Sequence, residues 1–97
     1  MIEEVLLVYD VRTPDPAGQR RLRSVARACE GLGVRVQKSV FEIRCSPAQL
    51  VILRHQLLTI IDATDSVRLY SLNRGTLGKV EVIGAPRSRA PGRDVVL

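Results

Sequence analysis

An α+β sandwich in the order β-α-β-β-α-β is predicted by three features of this chain. Short runs of strand character bracket two segments whose apolar residues recur at helical spacing. Each of those segments opens on its own start signal. The run between them alternates with period two but changes phase half-way, which requires a bulge or tight turn between two strands.

The first strand is Ile2 to Val11. Val5, Leu6, Leu7, Val8 and Tyr9 run without alternation, which suits a central strand buried on both faces. Asp10 stands at its end, and Arg12-Thr13-Pro14-Asp15-Pro16 follows as a loop. Asp15 N-caps a helix with Pro16 at its first position, and Leu22, Val25, Ala26, Cys29 and Leu32 form the apolar stripe. Gly31 and Gly33 stop it. Arg20, Arg21, Arg23 and Arg27 lie off the stripe.

In the next run Val34 and Val36 share one face. Beyond Lys38-Ser39 the inward set becomes Phe41, Ile43 and Cys45, so two strands join near Lys38 and Ser39. Ser46-Pro47-Ala48-Gln49 is a capping box opening a second helix to about Ile61, with Leu50, Leu53, Leu57 and Ile61 inward. Ser66 to Leu72 alternates again, with Val67 and Leu69 on one face. Val80 to Gly84 reads as another short strand. The order is that of the ferredoxin-like split βαβ arrangement. Residues 1–84 form this domain; 85–97 are a tail rich in Arg and Pro, ending on Val95-Val96-Leu97, an apolar end that a partner subunit would cover.

With 97 residues the chain is one small domain whose modest core would gain from dimerisation. Tyr9, Phe41 and Tyr70 are the only rings. The formal net charge is +5, and Lys38 and Lys79 are the only lysines. An arginine-rich surface suits a polyanion, although codon bias explains Arg over Lys as readily. Cys29 and Cys45 sit in apolar positions and read as reduced core thiols. The acidic start and the brevity of the apolar runs exclude a signal peptide and a membrane span, so a cytoplasmic protein is expected.

No strong catalytic motif is present. Gly75-Thr76-Leu77-Gly78-Lys79 lacks the flanks of a phosphate-binding loop, no zinc spacing occurs, and the glycine-aromatic signature of RNA-recognition modules is missing. Asp10 is the best single candidate. A carboxylate at a strand end can hold Mg²⁺ largely through water, and two across a two-fold axis would make a pair. From spacing alone, capping of the following loop is the favoured role. Arg20, Arg21, Arg23, Arg27 and Arg35 can grip a phosphate backbone, or simply form a solvated surface. His55 reads as a solvated flank residue.

Several segments then coincide: Leu7-Val8-Tyr9-Asp10-Val11, the Arg-rich helix from Arg20, Arg35-Val36-Gln37-Lys38-Ser39-Val40-Phe41-Glu42, Asp65-Ser66-Val67-Arg68-Leu69-Tyr70 and Val80-Glu81-Val82-Ile83-Gly84. Across residues 2 to about 84 the chain resembles the small CRISPR-associated endoribonuclease family, the adaptation subunit that partners the spacer integrase. The resemblance implies a ferredoxin-like homodimer whose extra C-terminal strand extends the partner's sheet. It implies Asp10 as the catalytic residue and Mg²⁺ ligand, one from each protomer. It implies nucleic-acid contact by Arg21, Arg23 and Arg35, with Tyr9, Ser39 and Phe41 in family motifs. It implies cleavage of RNA or double-stranded DNA, or alternatively a non-catalytic scaffold bridging integrase subunits and duplex DNA. A toxin-like ribonuclease outside any CRISPR locus is the third reading. Lys38 stands where many members carry an aromatic, and the loop from Arg12 to Gly18 is long for the family.

Overall fold

The computed structural model describes residues 1–85 and the backbone of Val95 and Val96. The elements are β1 (Glu3–Asp10), α1 (Pro16–Glu30), β2 (Gly33–Gln37), β3 (Val40–Cys45), α2 (Pro47–Ile60), β4 (Ser66–Leu72), a single 3₁₀ turn (Leu77–Lys79), β5 (Val82–Ile83) and β6 (Val95–Val96). The expected α+β class and element order are observed. The main sheet runs β2-β3-β1-β4, and every neighbouring pair is antiparallel.

Both helices start where their caps dictate. The Asp15 carboxylate accepts from the Gly18 N–H at 2.8 Å, with Pro at the first turn of α1. Ser46 and Gln49 form a reciprocal capping box, at 3.1 and 2.9 Å. The end of α1 differs from expectation. Gly31 keeps a right-handed conformation at φ −67°, so no glycine turn ends the helix. Gly33 serves another purpose: a Cβ there would lie 2.7 Å from both the Glu42 carbonyl oxygen and the Ile43 side chain. Its missing side chain lets β2 lie directly on β3.

Phase explains the hairpin. Lys38 and Ser39 form the turn, and the β2–β3 register shifts between Arg35 and Gln37. The phase change therefore reflects both a tight turn and a bulge.

The core lies between the helices and one sheet face. Val5, Leu7 and Tyr9 of β1 join Phe41, Ile43 and Cys45 of β3 against Val25, Cys29, Leu50, Leu53 and Leu57. β1 is central, as expected, but the helices cover only one of its faces. Leu6 and Val8 are partly buried on the other, opposite Val40, Glu42, Arg68 and Tyr70. The unbroken apolar run is explained by one face packed on helices and a second, still apolar, left uncovered. The 3₁₀ turn closes one end of that second face. There the buried Glu4 carboxylate accepts from the N–H groups of Gly75 (2.6 Å) and Leu77 (2.8 Å). These bonds, the Gly75 one foremost, hold its pKa below the ordinary 4.5.

The strand expected over Val80–Gly84 is shorter, covering Val82 and Ile83, because Leu77–Lys79 forms the 3₁₀ turn just before it. It pairs in parallel with β6 of the same chain. The expected irregular stretch of 85–93 lies, apart from Ala85, outside the described residues. No described helix is long and apolar enough to cross a membrane.

Both thiols are free and buried. Burial pushes Cys29 up to about 11 and raises Cys45 as well. Neither is a nucleophile near neutral pH. Native protein is therefore expected to resist a thiol-reactive chromophore, with both cysteines reacting once urea unfolds the chain. Fast labelling in native buffer would contradict this packing.

Candidate functional site

Alternation along β1 decides where Asp10 sits. Val5, Leu7 and Tyr9 enter the core, so Glu4, Leu6, Val8 and Asp10 line the uncovered face. Asp10 is exposed and pairs across β4 with Ser66. Among the described residues no group of three His, Cys, Asp or Glu could hold a metal.

The backbone just past Asp10 is held by a buried clamp. Asp65, whose side chain is fully buried, accepts from the Arg12 N–H at 3.0 Å, the Asp62 N–H at 2.9 Å and Arg21 Nε at 2.9 Å. Arg21 also donates to the Arg12 carbonyl at 3.3 Å and lies 4.0 Å from Asp62. The Arg21 hydrogen bond, aided by the backbone donors, pulls the Asp65 pKa below its usual 3.8, and Asp65 in turn raises that of Arg21. Gly18 completes the arrangement, since a Cβ there would collide with the Arg12 carbonyl oxygen. The long loop between β1 and α1 is thereby fixed at both ends.

The other expected residues separate into two groups. Arg23 is exposed on α1, and no ion pair within the described residues engages it. Arg35, Tyr9, Phe41 and Ser39 come together at the hairpin end of the sheet. The Arg35 guanidinium lies over the Phe41 ring, 5.2 Å from its centroid, and donates to Tyr9 Oη at 3.4 Å. Tyr9 and Phe41 stack at 6.2 Å. Tyr9 Oη donates to the Lys38 carbonyl at 2.9 Å, and the Tyr9 N–H to that of Ser39 at 3.0 Å. Arg35 also stands 3.7 Å from Glu30. Arg21 is held in the Asp65 clamp, apart from this group. His55 is exposed, as expected.

A family model described as CRISPR associated protein Cas2 matches residues 3–80. The chain belongs to the Cas2 family. Among relatives of that family, the CRISPR-associated endoribonuclease Cas2 3 of Rhodospirillum rubrum is 49% identical over 82 residues, covering 84% of this chain and 86% of its own length. The CRISPR-associated endonuclease Cas2 of Halalkalibacterium halodurans is 47% identical over 85 residues, 87% of this chain and 88% of that one. The crystal structure of Streptococcus pyogenes Cas2 superposes with a TM-score of 0.74 at 49% identity, covering 84% of this chain and 99% of the other. The ferredoxin-like architecture is therefore the Cas2 architecture.

Two carboxylates with structural roles in this Cas2-family chain carried little signal in the sequence. Asp65 precedes a strand and is spaced for a local turn with Asp62, but its bonds to Arg12 and Arg21 reach across 53 and 44 residues of sequence. Glu4 sits in a charged pair at the edge of an apolar run, where nothing local announces burial.

Proposed function

We propose that this protein is a homodimeric, nucleic-acid-binding subunit of CRISPR adaptation. In this reading it cleaves phosphodiester bonds of RNA or duplex DNA with Mg²⁺ held between two Asp10 carboxylates, one per protomer. One observation carries the reading: Asp10 lies on the apolar sheet face that the helices leave uncovered. Stacking that face on a second copy about a two-fold axis buries Leu6 and Val8 and brings the two Asp10 side chains toward each other. The relatives' names, endoribonuclease and endonuclease, supply the reaction class.

The donor set fits the cation. Mg²⁺ keeps several waters and takes one or two carboxylates together with phosphate oxygens, so a single Asp from each chain is sufficient. When bound, the cation supplies Lewis-acid polarisation of the phosphate. Arg23 and Arg35 hold the strand by its phosphates. Arg21 contributes by fixing, through Asp65, the loop that leaves Asp10. The buried, un-ionised thiols suit the reducing cytoplasm, and an integrase subunit is the expected protein partner.

The absence, among the described residues, of a cluster of three or more metal-ligating side chains favours one competing reading, a scaffold that holds duplex DNA between integrase subunits without cutting it. Cleavage of RNA and duplex DNA by wild type and Asp10→Ala, with Mg²⁺ or chelator, separates them. The nuclease reading expects Asp10→Ala and chelation each to lower the rate about a hundredfold or more while the protein stays dimeric. Activity indifferent to Asp10, or none at all, leaves the scaffold.

A further inference from the structure

We propose that Arg35, Gln37, Lys38 and Ser39 form a seat for a phosphate group of bound nucleic acid, with Lys38 supplying the second positive charge. This deepens the nucleic-acid reading above and rests on it.

These four residues line a hollow of about 450 Å³ at the β2–β3 turn. Its chemistry is that of an oxyanion site: a guanidinium, an ammonium, an amide and a hydroxyl, with no carboxylate in the lining among the described residues. Arg35 is oriented before any ligand arrives. The Phe41 ring lies beneath its guanidinium, and Tyr9 Oη takes one of its N–H groups. Among the described residues only the half-exposed Glu30, at 3.7 Å, competes for it, so donors remain for a paired contact with phosphate. Lys38 is exposed and joins no ion pair within the described residues.

The turn itself is anchored. Tyr9 ties down both of its carbonyls, at Lys38 through the phenol and at Ser39 through the backbone. A seat on a pinned turn loses less entropy on binding than one on a free loop. Location gives it a purpose. The β1–β3 register ends with Val8 opposite Val40, and the Tyr9-to-Ser39 bond continues it. Lys38 therefore lies at the end of the sheet that carries Asp10. A strand phosphate held there would fix the chain of the nucleic acid beside the Asp10 face.

The test is the salt dependence of binding to a short duplex DNA and to an RNA of the same sequence, for wild type, Lys38→Gln, Lys38→Arg and Arg54→Gln. Arg54 is an exposed cation on α2, away from the hollow, and controls for net charge. One lost phosphate contact lowers the slope of log K against log salt by about one. The expected result is that drop for Lys38→Gln, restoration by Lys38→Arg, and no change for Arg54→Gln, with unchanged melting temperatures. A drop restricted to 5′-phosphorylated strands identifies a terminal phosphate, and one shared by 5′-hydroxyl strands an internal phosphate; both support the seat. A slope unchanged in Lys38→Gln, or matched by Arg54→Gln, overturns the seat and leaves the nucleic-acid reading standing. Failure of wild type to bind either nucleic acid overturns both.

Discussion

Asp65→Ala is expected to lower the melting temperature by about 10 °C or more, followed by circular dichroism. The substitution deletes the acceptor of two backbone N–H groups and one guanidinium together. Arg21, only 21% exposed, would be left as a poorly solvated charge. Leaving one member of such a pair behind is costlier than removing both. Asp65→Asn should be milder, because its amide oxygen still accepts a hydrogen bond but offers Arg21 no charge. Acidification tests the same clamp. The folded Asp65 pKa is depressed below 3.8 and that of Glu4 below 4.5, so both contributions are complete above the unfolded values. They vanish as pH falls through the lowered folded values. Wild type should lose stability steeply below about pH 4, and Asp65→Asn less steeply. Superimposable acid titrations of the two proteins would show that the clamp does not contribute.

Phe41→Ala should cost about 3–5 kcal/mol, a large share of the ~5–15 kcal/mol that holds a typical domain together. Phe41 is completely buried and pairs across the sheet with Leu7. Its loss opens a cavity in the core at the hairpin end of the sheet, and the surrounding structure can collapse only partly. The ring is also the platform for Tyr9 and Arg35. Phe41→Leu keeps most of the volume and removes the aromatic face. It should therefore unfold at only slightly lower urea concentration while binding nucleic acid more weakly. A urea midpoint for Phe41→Ala within error of wild type would contradict this account of the core.

The fold was legible because its signals are local. Asp15-Pro16 and Ser46-Pro47 mark helix starts, and the phase change around Lys38-Ser39 marks the hairpin, all within a few residues of what they control. The site was legible in part. Asp10 stands at the end of β1 as expected, whereas Arg35 shares the Phe41 face of the sheet and Val34 the face of Glu42, the reverse of what alternation along β2 indicates. Arg21 could not be told from Arg23 by type or spacing. What separates them is Asp65, far away in the sequence, whose approach depends on β4 docking beside β1. Gly33 misled for a similar reason: beside a helix end it looks like a terminator, yet the crowding that requires it comes from Glu42 and Ile43.

The alternation of β1 has a consequence for how this sequence can change. Tyr9 and Asp10 are neighbours that must face opposite ways, one toward Phe41 and one away from the core. Inserting or deleting one residue upstream within Glu3–Asp10, with the strand's other end held in register, would exchange the two sides. A carboxylate would then enter the core and a ring would leave it. Changes in length at this strand are tolerable only in steps of two, whereas the loop from Arg12 onward carries no such parity.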